Sequence, residues 1–290
     1  MKNIAIFIFV IVGLMTSCDP ICDEKDPGGS ITAEQLKNYC TVTVDQENGV
    51  NINHIKVSTT APCNVVWNNG VENKLVPTTN FTMLITGEQT VTCTAMNGDG
   101  SIVKAEFTVN IQEISKNYPV KEQWSLLCGS GSKTWKWDDS TGQCWGNCGY
   151  LSGTGTSMIS GNSWWGAKAS EITDQITKYK YSLDDCNNGN ATMTLSLNGA
   201  KITKTSGGTG TFSFDMSSTT MDAGGDGLWG IGKFTTTGDG ILFPVQINTG
   251  TVVSTLDIAA LDKDHFVLTY AASGTGSWGE ATFWRFKPAE

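Results

Sequence analysis

Alternation of apolar and polar residues through the C-terminal third constrains this chain most. Met193, Leu195 and Leu197 alternate with Thr192, Thr194 and Ser196. Phe212, Phe214 and Met216 alternate with Ser213 and Asp215. Leu256, Ile258 and Ala260 precede an Asp262-Lys263-Asp264 turn, Phe266, Leu268 and Tyr270 resume the pattern, and Trp284 and Phe286 come near the end. Successive side chains on a strand point to opposite faces, so a period of two means antiparallel sheets with one dry face and one wet face. Leu197-Asn198-Gly199-Ala200 and Thr237-Gly238-Asp239-Gly240 carry residues that tight hairpin turns require.

Residues 120–290 are therefore expected to form an all-β domain whose strands mostly neighbour the next in sequence. A lipocalin-like antiparallel β-barrel meander and a jelly-roll sandwich both satisfy the pattern. The one helical suggestion, Ala169 to Ile176 with Ser170 as cap, is brief. A polar junction, Ser115-Lys116-Asn117-Tyr118-Pro119, separates this domain from residues 31–115.

That earlier segment also reads as β structure. Strand-like runs occur at Cys40–Val44, His54–Val57, Asn64–Trp67, Thr90–Ala95 and Ala105–Val109, with turns at Asn68-Asn69-Gly70 and Asn97-Gly98-Asp99-Gly100. Short strands punctuated in this way predict an Ig-like sandwich, with Trp67 in its core. The run Gly87–Ala95 followed by Asn97 and Gly98 resembles the late hairpin of a PKD domain. Trp67-Asn68-Asn69-Gly70 stands where that family has a longer, Asp-bearing turn.

The first residues concern location. Lys2, an apolar run from Ile4 to Leu14 and then Met15-Thr16-Ser17-Cys18 make a secretory signal, residues 1–17, shorter than a membrane-spanning helix needs. The small residues before Cys18 resemble a bacterial lipobox, which implies lipidation at Cys18 and a membrane attachment by acyl chains alone. Residues 18–30 hold Asp19, Asp23, Glu24 and Asp26 among prolines and glycines and read as an acidic tether. This stretch resembles the export signal of Bacteroidetes surface lipoproteins and implies an outer-membrane location facing outward. Removing the signal leaves about 270 residues, enough for two modest domains.

A net charge of −9 is opposite in sign to what nucleic-acid binding requires. Apart from Cys18 there are eight cysteines, an even number that permits disulfides outside the cytoplasm. The pairings favoured are Cys63–Cys93 and Cys144–Cys148. Among the cysteines of the folded part, Cys144 and Cys148 are the one close pair, with no histidine nearby, so structural zinc is not expected. Asp138, Asp139, Asp184, Asp185 and Asp226 offer oxygens that suit a structural calcium; no other cofactor is implied.

The residues that suggest a function are aromatic. Trp135 and Trp137 lie two apart on a strand and are expected in the core. Trp145, Tyr150, Trp164 and Trp165 instead sit in a long segment rich in Gly, Ser, Thr and Asn, and long loops in compact domains usually carry function. Trp229 and Trp278 are flanked by glycines. Indole and phenol rings stack on the C–H faces of pyranose rings, and amides such as Asn147 bond their hydroxyls. The candidate glycan-binding residues are therefore Trp145, Asn147, Tyr150, Trp164, Trp165, Trp229 and Trp278.

The runs Lys133–Asp138, Trp145–Tyr150, Trp164-Trp165 and Ala281–Lys287 resemble the C-terminal domain of PKD-containing Bacteroidetes lipoproteins found with SusC- and SusD-like transporters. The resemblance implies a surface protein that captures polysaccharide or oligosaccharide beside a SusC/SusD-like partner without cleaving it. Two other readings stand beside it: a structural or adhesive lipoprotein whose rings are all core, and a glycoside hydrolase of unrecognised type. The second needs two facing carboxyl groups. Asp138, Asp139, Asp184, Asp185 and Glu280 are available, but none lies in a recognisable catalytic strand. An enclosed small apolar ligand would suit a lipocalin-like barrel.

Overall fold

The structure is a computed structural model describing residues 30–182, 185 and 187–289. The signal segment, Cys18, Cys22, the tether up to residue 29, Asp184 and Cys186 lie outside the described residues.

The chain begins with helix α1, Ala33–Tyr39, where Thr32 and Gln35 bond each other's backbone N–H in a reciprocal cap and Leu36 is buried. Seven strands follow: β1 (Cys40–Glu47), β2 (Val50–Thr59), β3 (Asn64–Asn68), β4 (Asn73–Lys74), β5 (Thr78–Thr82), β6 (Gly87–Met96) and β7 (Ile102–Ile111). They form two sheets, β1-β2-β5 and β4-β3-β6-β7, whose inner faces close over Ile55, Val57, Trp67, Phe81, Val91 and Ala95. This is a β-sandwich with Trp67 fully buried, as the alternating runs predicted. Asn48 and Gly49, at φ 52° and 83°, make the β1–β2 hairpin.

After the junction come α2 (Glu122–Cys128), β8 (Ser132–Trp137), β9 (Trp145–Gly149), β10 (Trp165–Ala167), α3 (Ile172–Lys178), β11 (Thr192–Ser196), β12 (Lys201–Lys204), β13 (Thr209–Asp215), β14 (Thr220–Met221), β15 (Leu228–Gly230), β16 (Gly232–Gly238), β17 (Thr255–Leu261), β18 (Phe266–Tyr270) and β19 (Glu280–Pro288). Strands β8-β11-β12-β13-β16-β17-β18-β19 form an antiparallel meander, closed where Phe286 and Lys287 of β19 pair with Trp137 and Lys136 of β8. Of the two architectures that the pattern allowed, the barrel is the one formed. Eight strands leave an interior that side chains can fill. Trp135, Met193, Phe212, Phe234, Phe266, Trp284 and Phe286 fill it.

Both ends of the barrel are stoppered. At one end α2 inserts Trp124 and Leu127, and Trp135 Nε1 donates to Leu127 O over 2.9 Å. At the other, the β16–β17 connection departs from the expected tight turn after Gly238. Residues 239–254 fold inward, burying Ile241, Leu242, Phe243, Val245 and Ile247. Trp284 Nε1 donates to Phe243 O and Trp145 Nε1 to Val245 O, at 2.8 and 3.2 Å. The apolar run Ile241–Val245 carries the Pro244 that a strand interior excludes.

A second apolar layer covers the outer face of β17–β19, where Met158, Trp229, Ala259, Val267, Ala281 and Phe283 pack together. Arg285 is buried within this layer. It donates to Met158 O, Thr141 Oγ1, Gln143 O and Gly161 O, fastening both the β8–β9 and the β9–β10 connections to the barrel wall. Gly155 lies so close to the wall that a Cβ there would sit 2.1 Å from Ala259 O.

The sandwich abuts the α2 end of the barrel, with Val71, Leu84 and Ile85 packed against the barrel's core cluster. Buried Asn53 pins the junction: its Nδ2 donates to Met83 O and Tyr118 O, and its Oδ1 accepts from Ser115 N. The His54 ring stacks on Tyr118 at 4.0 Å.

Candidate functional site

The site is built on one face of β9. Trp145, Asn147 and Gly149 share that face by the period of two. Cross-strand partners extend each row: Ala167 and Trp284 beside Trp145, Trp165 and Thr282 beside Asn147, and Glu280 beside Gly149. The rows run from core to solvent. Trp145 is fully sealed, its edge against Trp165 at 6.3 Å and its ring against Phe243 at 4.9 Å. In the next row Trp165 is 45% exposed. Trp164, 55% exposed, donates its backbone N–H to Asn147 O, and its ring lies over Gly149. A Cβ on Gly149 would sit 3.1 Å from Trp164 Cζ2, so a glycine is what lets the indole lie there.

The loop before β19 adds a third open ring. Trp278 is 64% exposed and is held by Trp278 N–H to Tyr150 O and Tyr150 N–H to Gly279 O, at 2.8 and 2.7 Å. Its φ is 67°, the left-handed region that a bulky residue occupies only at a cost.

Polar groups gather on the same edge. Glu280 Oε1 accepts from Asn147 Nδ2 at 2.6 Å and from Asn248 Nδ2 at 2.7 Å. Asn147 Oδ1 is buried with no hydrogen-bond donor. Asn248 is held in turn, its backbone N–H donating to Tyr179 Oη at 2.7 Å. Between β9, α3 and the inward-folded connection lies a cavity of about 260 Å³, lined by Asn147, Trp165, Gln175, Lys178, Ile247 and Asn248. The Gln175 amide and Lys178 Nζ have no hydrogen bond or ion pair with another described side chain; Lys178 Nζ lies 5.1 Å from the Tyr179 ring.

Of the seven candidate residues, the structure brings Asn147, Trp164, Trp165 and Trp278 to one water-facing edge. Trp145 and Trp229 are core residues, fully buried. Trp145 was misplaced because β9 is a true strand inside what read as a loop, and its partners across the strand are Ala167 and Trp284. Trp229 packs edge-on beneath Tyr150 at 5.9 Å. Tyr150 is half-buried, and burial pushes its phenol above the usual value. Gln175, Lys178 and Asn248 were missed. The signal for Asn248 was the apolar run before it, too long for a turn and broken by proline.

The Cys144–Cys148 pairing needs correction. All six described cysteines are free thiols. Cys144 and Cys148 stand four residues apart along extended chain, roughly 13 Å, where a disulfide needs Cα atoms within about 7 Å. Cys144 Sγ donates instead to Ala167 O, and Cys148 Sγ to Ala281 O. Cys63 precedes the Asn64–Met96 pair, three residues along β6 from Cys93. Cys93 has the Cys40 thiol, on the opposite sheet, and the Cys63 thiol both near it, and burial pushes its own thiol up.

The candidate calcium ligands among the described residues form no metal-holding group. Asp138 faces Lys287, Asp185 is taken by Lys204 and Phe243 N–H, and Asp226 lies in the β14–β15 turn. Among the described residues no group of three or more His, Cys, Asp or Glu side chains is placed to hold a metal.

No protein-family model matches the chain, and no curated protein does. Among solved structures, the PKD1 domain of the Vibrio cholerae metalloprotease PrtV is similar at 12% identity and a TM-score of 0.21, with 26% of this chain and 95% of that chain covered. The PKD1 domain of Vibrio anguillarum Epp is similar at 11% identity and a TM-score of 0.20, with the same coverage.

Proposed function

We propose that this protein is a cell-surface lipoprotein that binds polysaccharide without cleaving it. The observation that carries this reading is the open edge itself. Three indoles, Trp164, Trp165 and Trp278, face water beside the Asn147–Asn248–Glu280 hydrogen-bond cluster. Exposed apolar rings gathered in one place mark a binding surface, and rings beside fixed amides and a carboxylate suit sugar, which presents C–H faces and hydroxyls together. The edge lies at the end of the barrel away from the sandwich, so the sandwich serves as a spacer between anchor and binding face.

The non-catalytic reading rests on the separation of carboxyl groups. Glu280 opens β19, while Asp138 bonds to Arg285 O five residues along that strand, roughly 16 Å away. Paired glycosidase carboxyls stand within about 10 Å. The lipobox-like Cys18 and acidic tether support anchorage at the outer membrane and a SusC/SusD-like transporter as partner. Among the described residues no helix is long and apolar enough to cross a membrane.

Affinity electrophoresis on plant and host polysaccharides tests this reading. Retardation by at least one glycan is expected, with loss in the folded Trp164→Ala/Trp165→Ala/Trp278→Ala variant. A folded protein that no glycan retards favours the adhesive reading, and release of reducing ends by purified protein favours the hydrolase.

A further inference from the structure

Resting on that reading, we propose that the cavity beside Asn147 seats one pyranose ring bearing a carboxylate, a uronate residue of the bound polysaccharide, with Lys178 as its counter-charge. Size is the first argument. At about 260 Å³ the cavity falls below the roughly 300–1,000 Å³ of sites that enclose drug-sized ligands, so it suits one ring and not a run of several. Charge is the second. Asn147, Trp165, Gln175, Ile247 and Asn248 are neutral, and Lys178 alone among the lining residues is charged. No described carboxylate pairs with its ammonium, which lies 5.1 Å from the Tyr179 ring. A cavity whose one charge is an unanswered cation is complementary to an anion.

The donors are the third argument. Gln175 and Lys178 stand three residues apart on α3, so they share one helix face, and both line the cavity. An amide N–H beside an ammonium matches the two oxygens of a single carboxylate, which only accept. Trp165 offers an aromatic wall to the C–H face of the sugar ring. The spacing of these walls is fixed, because the Asn248 backbone N–H donates to Tyr179 Oη and ties the inward-folded connection to α3.

The acids nearby do not cancel this. Glu280 does not line the cavity, and its Oε1 accepts from the Nδ2 groups of Asn147 and Asn248, a side chain further back. Coulomb interaction weakens with separation, so an anion touching Lys178 gains more there than it loses to Glu280. Asp174, one turn back on α3, makes no ion pair with Lys178 and does not line the cavity. The net charge of −9 belongs to the whole chain, and its distant members are screened beyond about 8 Å at physiological salt. From Trp165 to Tyr181 lysines outnumber acids, Lys168, Lys178 and Lys180 against Glu171 and Asp174.

Tryptophan-fluorescence titration of the full chain tests this. The probes are tetragalacturonate, tetramannuronate and tetraguluronate, each beside its carboxyl-reduced neutral counterpart, and a sulfated galactotetraose. At least one uronate is expected to bind about tenfold or more tightly than its reduced counterpart, the scale of a charged hydrogen bond. Its affinity should fall as salt is raised. Lys178→Met should remove most of that preference and flatten the salt dependence, while Lys178→Arg should keep both. The proposal is overturned if every reduced counterpart binds as tightly as its uronate, or if Lys178→Met leaves uronate binding unchanged in a folded protein. Tighter binding of the sulfated probe than of every uronate overturns it too. Retardation by a neutral polysaccharide with no uronate binding overturns it and leaves the exposed rings to act alone. Absence of all retardation and binding removes the wider glycan reading as well.

Discussion

Lys204 and Asp185 meet at 2.7 Å beside the inward-folded β16–β17 connection, each less than 5% exposed. Asp185 also accepts the Phe243 backbone N–H at 3.0 Å, so one carboxylate binds both the barrel wall and its stopper. Removing one partner of a buried pair strands the other charge out of water, which costs about 3–5 kcal/mol. Lys204→Met should lose that much in chemical denaturation. The Asp185→Leu/Lys204→Met double variant should recover most of it. Equal loss in single and double variants would show that the charge pair is not the source.

Trp278 holds left-handed backbone at φ 67° while its ring faces water. Trp278→Gly should leave thermal stability unchanged or raise it by about 1 kcal/mol, because glycine occupies that region freely. Glycan retardation should fall in the same variant. Opposite effects on stability and binding would mark the ring as held there for the ligand. A fall in stability would instead mean that the indole is structural.

The Cys40 thiol faces Cys93 from the opposite sheet of the sandwich, with Cys63 near both. Protein recovered from an oxidising compartment should carry a Cys40–Cys93 disulfide, with Cys63 open to alkylation. Such a bond should add about 2–4 kcal/mol, lost on reduction. Peptide mapping under non-reducing conditions reads this directly, and a Cys63–Cys93 peptide, or none, sinks it.

Burial holds the Cys128 and Cys148 thiols protonated, pushing each from 9.0 up to about 12. In the unfolded chain they ionise near the ordinary value. Their contribution to stability is therefore complete below pH 9 and is lost as the pH rises toward 12. Melting temperature should fall across that window, and less steeply in Cys128→Ala/Cys148→Ala. Neither thiol should react with an aromatic disulfide reagent in the folded protein near neutral pH.

The alternation around Met193, Phe212, Leu256 and Phe266 made the barrel strands legible, because each needs only a dry and a wet face. Trp67, Trp135 and Trp137 were legible as core for the same reason. The helices α1 and α2 were not, being seven residues each with their stability drawn from packing of Leu36, Trp124 and Leu127. The site was half legible. Trp164, Trp165 and Trp278 stood out by composition, but Trp145 could be separated from them only once β9 had a sheet to join. Lys178 and Asn248 belong to segments seventy residues apart that the closed barrel brings together, a relation no local pattern carries.

Strand β19 pairs with β18 along one edge and with β9 and then β8 along the other, and its first residue is Glu280. Tension on a captured polymer would thus be delivered into a strand bonded on both sides, as shear spread over many parallel attachments, and not peeled from a free-standing loop. A grip of modest strength mounted this way could be tugged repeatedly by a transporter or by flowing medium while the fold beneath it stayed intact.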